Sequence, residues 1–209
     1  VESPLRDAAD GADLALIETA RWDGSACPLL DLHLARLQAG IRALGWRFDG
    51  SFAAAFIGPQ DRPARLRVLV RQNGIVPTET SDLPPAIPIW RVGIAEQRLD
   101  SADPWLRIKS TRRATYDQAR RTLSTGLHEV ILLNERHEVC DGSISTVFFD
   151  RGEGLRTPPL TSGLLPGVLR AKLMSEGVPE EVLLAQDLPK VRLWVGNALR
   201  GLHEAILVR

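Results

Sequence analysis

Between Glu129 and Thr157 the sequence leaves little choice of structure, because four short extended segments follow one another with only tight turns between them. Glu129-Val130-Ile131-Leu132-Leu133 is an unbroken run of the kind that forms a strand buried on both faces. Asn134 to Glu138 reads as a hairpin-type turn that delivers Val139 to Asp141 onto the next strand, and Thr146 to Phe149 and Leu155 to Thr157 continue the sheet. Gly167 then opens a helix predicted to pack on that sheet, before late strands over Arg192 to Gly196 and Glu204 to Val208.

Upstream, Leu14 to Trp22 has strand character and stops at the turn signal Asp23-Gly24. Leu34, Leu37, Ile41 and Leu44 recur at spacings of three and four, which predicts a helix with Asp31 as N-cap and Gly45 as terminator. Ser51 to Ile57 reads as a second short helix, Leu66 to Arg71 as a strand that alternates apolar residues with arginines, and Ile89 to Ala95 as another strand. Tyr116 to Leu123 is expected to be helical. The polar, turn-rich stretch from Ala95 to Pro104 suggests a boundary: a small domain over residues 1–95, a linker over 96–104 and a larger domain over 105–209.

A formal charge of zero with interspersed signs gives no electrostatic footprint for nucleic acid or an anionic membrane, so the expected partner is a small molecule. Val1 to Gly11 is too polar for a signal peptide and no apolar run approaches a membrane span, which leads to a cytoplasmic expectation. Cys27 and Cys140 stand at no metal or redox spacing, so reduced thiols and no metal site are expected. His33, with no Cys, Asp or Glu at zinc spacing beside it, reads as a structural helix residue.

The basic residues carry a sharper signal. Of 26, only Lys109, Lys172 and Lys190 are lysines. Arginine stays protonated in proteins, whereas a lysine in an enclosed site can lose its proton and attack a carbonyl, so Lys109 at the end of a strand-like run suggests amine chemistry. Strand alternation would put Arg107 on the same side, and one of Arg107, Arg112 and Arg113 could meet a substrate carboxylate, although solvated or interdomain charges are the expected reading of all three.

Lys109 opens an ordered series: Glu129 to Asn134, Val139 to Phe149, Thr157-Pro158-Pro159-Leu160, and Gly163-Leu164-Leu165-Pro166-Gly167-Val168-Leu169-Arg170, with His33-Leu34-Ala35-Arg36-Leu37 upstream. That series resembles the class IV pyridoxal-phosphate aminotransferases, which include branched-chain and D-amino-acid aminotransferases and 4-amino-4-deoxychorismate lyases. The resemblance implies a two-domain α/β fold of the α+β type (fold type IV), a homodimer, pyridoxal 5'-phosphate as cofactor and a small-molecule amine as substrate. It implies that Lys109 carries the cofactor and that Arg36 reaches its phosphate. Asp141, where the family usually has glutamate, would face the ring nitrogen. The amides of Val168 and Leu169 would cradle the phosphate, with Asn197 and Ala198 as the second side. Thr146 stands in place of a family asparagine, Leu169 of a threonine, and Ala198 of a Ser or Thr found in many aminotransferases. Without the motif, Arg36 would read as a solvated helix residue and Asp141 as a turn residue. Asn197-Ala198-Leu199 and Arg113 four places after the lysine resemble the lyase branch, which implies formation of 4-aminobenzoate and pyruvate for folate synthesis. An amino-acid aminotransferase is the next reading, and a binding protein that keeps the fold without the chemistry is the third.

Overall fold

The apolar runs do become strands. In the computed structural model, which describes residues 4–7, 9, 11, 13–48 and 50–208, the strands are β1 (Leu16–Trp22), β2 (Ala64–Arg71), β3 (Gly74–Ser81), β4 (Trp90–Leu99), β5 (Glu129–Asn134), β6 (Val139–Gly142), β7 (Thr146–Asp150), β8 (Leu155–Arg156), β9 (Arg192–Asn197) and β10 (Gly201–Leu207). The helices are α1 (Pro4–Asp7), α2 (Leu30–Leu44), α3 (Ala114–Arg121) and α4 (Val168–Ser175). Part of the opening stretch read as too polar for a leader, residues 1–3, 8 and 10, lies outside the described residues. Among the described residues no helix is long and apolar enough to cross a membrane.

The first compact unit comprises the chain through Pro85 with Ile108–Arg112 and Ala198–Arg200. Its sheet runs β1-β2-β3, antiparallel throughout. On β2, Leu66, Val68 and Val70 are buried while Arg65, Arg67 and Arg71 alternate with them toward solvent. Helix α2 packs on β1: a Cβ on Gly40 would lie 3.0 Å from Leu16 Cδ2, so a glycine there permits the close approach. The helix ends as expected at Gly45 (φ 68°), where Gly45 N–H donates to Arg42 O at 3.2 Å and Trp46 N–H to Ile41 O at 3.0 Å. Its N-cap is Leu29 (φ 61°) rather than Asp31, whose carboxylate sits in the first turn, where the helix dipole still favours it. The expected helix over 51–57 shrinks to one 3-10 turn, Ala53–Phe56, that buries Phe56. Strand β3, with Pro77 inside it, escaped the sequence reading because it is an exposed edge with no apolar face; Asn73-Gly74 in the turn before it was the available signal.

The second unit comprises Ala86–Arg107, Arg113–Asn197 and Gly201 onward. Its strands run β6-β5-β4-β10-β9-β7-β8, and β6 pairs again with β7, so six of them close into a ring with β8 on its margin. β4 is parallel to β5 and β10; the other pairings are antiparallel. All six ring strands send side chains into one core, Val92, Ile131, Val139, Val147, Val195 and Ala205 among them. The opposite face of β5 (Val130, Leu132) packs with Cys140, Leu164 and Ala119 of α3. Covered on both sides, β5 is buried at all six positions, the reason its sequence shows no alternation.

Three expectations about the boundary change. The strand expected over Ile89 to Ala95 at the close of the first domain is β4 (Trp90–Leu99), a central strand of the second unit. The expected linker begins as strand because a β-bulge between Ile94 and Arg98 lets polar residues stay in it: Arg98 Nη1 donates to the carbonyls of Ala95, Glu96 and Gln97 at 2.6, 3.0 and 3.1 Å. Lys109, assigned from sequence to the second domain, groups with the first.

Two glycines with positive φ separate backbone strain from crowding. Gly152 (φ 105°) has nothing within 4 Å of where a Cβ would stand, whereas at Gly163 (φ 85°) that Cβ would lie 2.6 Å from Ser101 Cα. Gly152→Ala is expected to cost about 1–2 kcal/mol and Gly163→Ala roughly 2–4 kcal/mol, read from urea unfolding. Equal losses would show that the contact with residue 101 imposes no constraint.

Candidate active site

Lys109 is held by its main chain. The segment before it is a 3-10 turn, Pro104–Arg107, not a strand, so the alternation that would have set Arg107 beside Lys109 does not exist. Residues 108–112 instead lie along β1: Ile17 N–H donates to Lys109 O and Thr111 N–H to Ala15 O, each at 2.8 Å, with Ser110 bridged to Leu16. Thr111 Oγ1 accepts from Ala15 N–H at 3.0 Å and donates to Asp13 O at 3.1 Å. Lys109 is thus fixed next to the strand that carries Glu18.

Glu18 is a buried charge of the first unit. It sits 1% exposed in β1, and Arg36 from α2 grips it with a fork, Nε to Oε1 at 2.8 Å and Nη2 to Oε2 at 2.5 Å. His33, one turn earlier on α2, meets Oε2 through Nδ1 at 2.7 Å and lies against the Phe56 ring. Burial by itself would raise the Glu18 carboxyl; the Arg36 charge and the hydrogen bonds from His33 and Arg36 outweigh it and hold the group down at about 2. Arg36 is therefore neither a solvated helix residue nor loose. A guanidinium pinned along one edge has a fixed orientation.

In the second unit the remaining residues converge on one end of the ring. Asp141 lies in β6, 4% exposed, opposite Thr146 of β7, and its Oδ2 accepts from Leu165 N–H at 3.3 Å. It is a strand residue, not a turn residue. Thr146 pairs on its other side with Gly196, which is followed by Asn197, and Asn197 Nδ2 donates to Ile144 O at 3.1 Å. Helix α4 starts at Val168 with Gly167 as N-cap and no side-chain cap. A Cβ on Gly167 would stand 2.6 Å from Thr146 Oγ1, so a side chain there would collide with β7 and cover the helix end. Val168 and Leu169 are buried, Leu169 against Gly196, and can offer a ligand only their amides. Ala198 lies in the turn that joins β9 to β10 and groups with the first unit. Burial first, and then the Asp141 charge, push the Tyr116 phenol well above its usual range, so it stays neutral; the Arg113 guanidinium lies 5.3 Å from the ring centroid.

Thus Asp141, Val168, Leu169 and Asn197 share one unit, and Lys109, Arg36 and Ala198 belong to the other. Sequence reasoning missed Glu18 and Glu129, both fully buried carboxylates. For Glu18 the available signal was an acid within the apolar stretch Leu16-Ile17-Glu18. Cys27 and Cys140 are buried and not disulfide-bonded, and burial raises both thiols, Cys27 to about 11, which favours the protonated form.

An uncapped helix start kept open by a glycine suits a phosphate, and a carboxylate beside it suits a protonated ring nitrogen, so these residues fit pyridoxal phosphate. The sequence pattern described as amino-transferase class IV matches residues 15–205, and the chain belongs to that family, whose members are pyridoxal-phosphate-dependent enzymes. A candidate aminodeoxychorismate lyase of Schizosaccharomyces pombe is 29% identical over 179 residues, 78% of this chain and 74% of that protein. The crystal structure of a candidate amino-acid aminotransferase from Mesorhizobium loti superimposes with a TM-score of 0.86 at 41% identity, covering 94% of this chain and 100% of that one. The 4-amino-4-deoxychorismate lyase of Pseudomonas aeruginosa, at 22% identity and a TM-score of 0.78 over 92% of this chain and 82% of that one, shares the fold.

The Glu18 pair predicts an acid dependence. A carboxyl held near 2 stabilises the fold fully above its ordinary value of 4.5 and progressively less as pH falls toward 2. Between pH 6 and pH 3 the wild type is expected to lose about 2 kcal/mol more than Glu18→Gln in urea unfolding. Arg36→Ala, which strands the buried carboxylate, is expected to cost roughly 3–5 kcal/mol at pH 7. Parallel pH profiles for wild type and Glu18→Gln would remove the pair from the stability account.

Proposed function

We propose that this enzyme is a pyridoxal-phosphate-dependent lyase that converts 4-amino-4-deoxychorismate to 4-aminobenzoate and pyruvate. When bound, the cofactor supplies an aldehyde for the substrate amine and a ring that withdraws electrons from the carbon next to it. Lys109 carries the cofactor through its amine and, once displaced by the substrate, is the base that takes the proton from that carbon. Asp141 keeps a proton on the ring nitrogen. The amides of Val168 and Leu169 hold the phosphate at the start of α4, with Asn197 beside them; parts for Ala198 and Arg36 in that cradle rest on the family resemblance alone. Two copies of the chain form the working assembly, as in the family.

The observation that favours the lyase is the absence of side-chain hydroxyls at Leu169 and Ala198. An aminotransferase ends its first half-reaction with the cofactor no longer joined to the lysine, so noncovalent contacts must retain it. A lyase restores the attachment to Lys109 in every turnover and tolerates a cradle built of backbone amides. The Schizosaccharomyces pombe relative, which matches across 78% of the chain, agrees with this reading. The 41% identity to the Mesorhizobium loti protein favours an amino-acid aminotransferase as the second reading.

Borohydride reduction of the protein loaded with pyridoxal phosphate should leave the adduct on Lys109; an adduct on Lys172 or Lys190 sinks the assignment. The loaded enzyme should turn over 4-amino-4-deoxychorismate many times with no keto acid added and release equal amounts of 4-aminobenzoate and pyruvate. Rapid stoichiometric conversion of an amino acid to its keto acid, without release of 4-aminobenzoate, would promote the second reading.

A further inference from the structure

We infer that Glu129 is a positioning residue for cofactor binding, which fixes the turn between β6 and β7 and through it sets where Asp141 and Thr146 stand. The inference rests on the cofactor part of the proposal above and is indifferent to lyase or aminotransferase.

Glu129 opens β5 and is 0% exposed. Its two carboxylate oxygens accept from five donors. Oε1 takes Val130 N–H at 3.0 Å, Ser143 N–H at 2.9 Å and the Ser143 hydroxyl; Oε2 takes Ile144 N–H at 3.1 Å and the Ser145 hydroxyl at 2.7 Å. Four of the five belong to residues 143–145, which the turn places between Asp141 and Thr146. The fit leaves no slack: a Cβ on Gly142 would stand 2.9 Å from the Glu129 carboxylate and 2.4 Å from Ser145 Oγ. The turn's outward carbonyls are held as well, Ser143 O by Arg113 Nη2 at 2.7 Å and Ile144 O by Asn197 Nδ2 at 3.1 Å.

A turn that only needed to reverse the chain would not require a buried charge. Here it ends on both sides in residues of the candidate site, since Asp141 and Thr146 face each other directly across the closing pair of the ring and Thr146 abuts Gly167 at the start of α4. A displacement of the turn therefore moves the carboxylate and the phosphate-cradle wall together. Glutamine at 129 has nearly the same shape but only one accepting oxygen, so at least two donors lose their acceptor and the turn must shift.

The test compares wild type, Glu129→Gln, Asp141→Asn and the double variant. In protein without cofactor, hydrogen exchange should show the Ile144 amide losing protection in Glu129→Gln, while Ser143, whose N–H also donates to Val130 O at 3.2 Å, loses less and Ile131 and Leu133 keep theirs. The Kd for pyridoxal phosphate is expected to rise about tenfold to a hundredfold, the range seen when a residue orienting a binding group is removed. The pH midpoint of the bound cofactor's visible band should move in the same direction as in Asp141→Asn. The double variant should be little worse than the poorer single one, because both act through the same carboxylate. An affinity and a midpoint unchanged in Glu129→Gln, or effects that simply add, overturn the inference. If Glu129→Gln does not fold, Ser143→Ala with Ser145→Ala removes two of the five donors and should give a smaller change of the same sign; no change overturns the inference. A wild type that binds no pyridoxal phosphate sinks the function proposal as well, whereas binding that ignores residue 129 sinks this inference alone.

Discussion

The second unit depends on one strand pair, Asp141 opposite Thr146, that turns an open sheet into a ring. Closure removes the free edges of β6 and β7 and surrounds a core fed by all six strands. It also decides where chemistry can sit. The residues at the closing pair, the uncapped start of α4 and the end of β9 are drawn to one place by the register of β7 against β6 and β9. The site is a by-product of how the ring shuts.

Both units place a buried carboxylate behind the groups proposed to meet the cofactor. Glu18 fixes a guanidinium and Glu129 fixes a turn. Each carboxylate takes several donors at once, the only arrangement in which its burial is not ruinous. The consequence is rigidity where geometry matters most: neither Arg36 nor the turn after Asp141 can move without stranding a buried charge. Substitutions at Arg36 therefore test stability and binding together, and they are read correctly only with the Glu18 partner in view.

Much of the fold was legible in the sequence because its signals are local. The apolar run of β5, the three-and-four spacing of α2 and the stop at Gly45 all appear where they were expected. Strand β3 was missed because an exposed edge with a proline has neither the apolar face nor the alternation by which strands are recognised. The 3-10 turn before Lys109 was read as a strand because a few apolar residues look alike in either conformation.

What the sequence determined by itself was the family, and with it Lys109, Arg36 and Asp141 as candidates, since residue type and order are properties of the chain. Tertiary structure decided the rest. The grouping of Lys109 with the first unit follows from main-chain hydrogen bonds to β1, more than 90 residues earlier in the chain. Arg36 as the partner of Glu18, and Glu129 as the holder of the turn, follow from which side chains the folded strands bring within hydrogen-bond reach. A buried charge is tolerable only with partners, and those partners become visible only when distant segments meet.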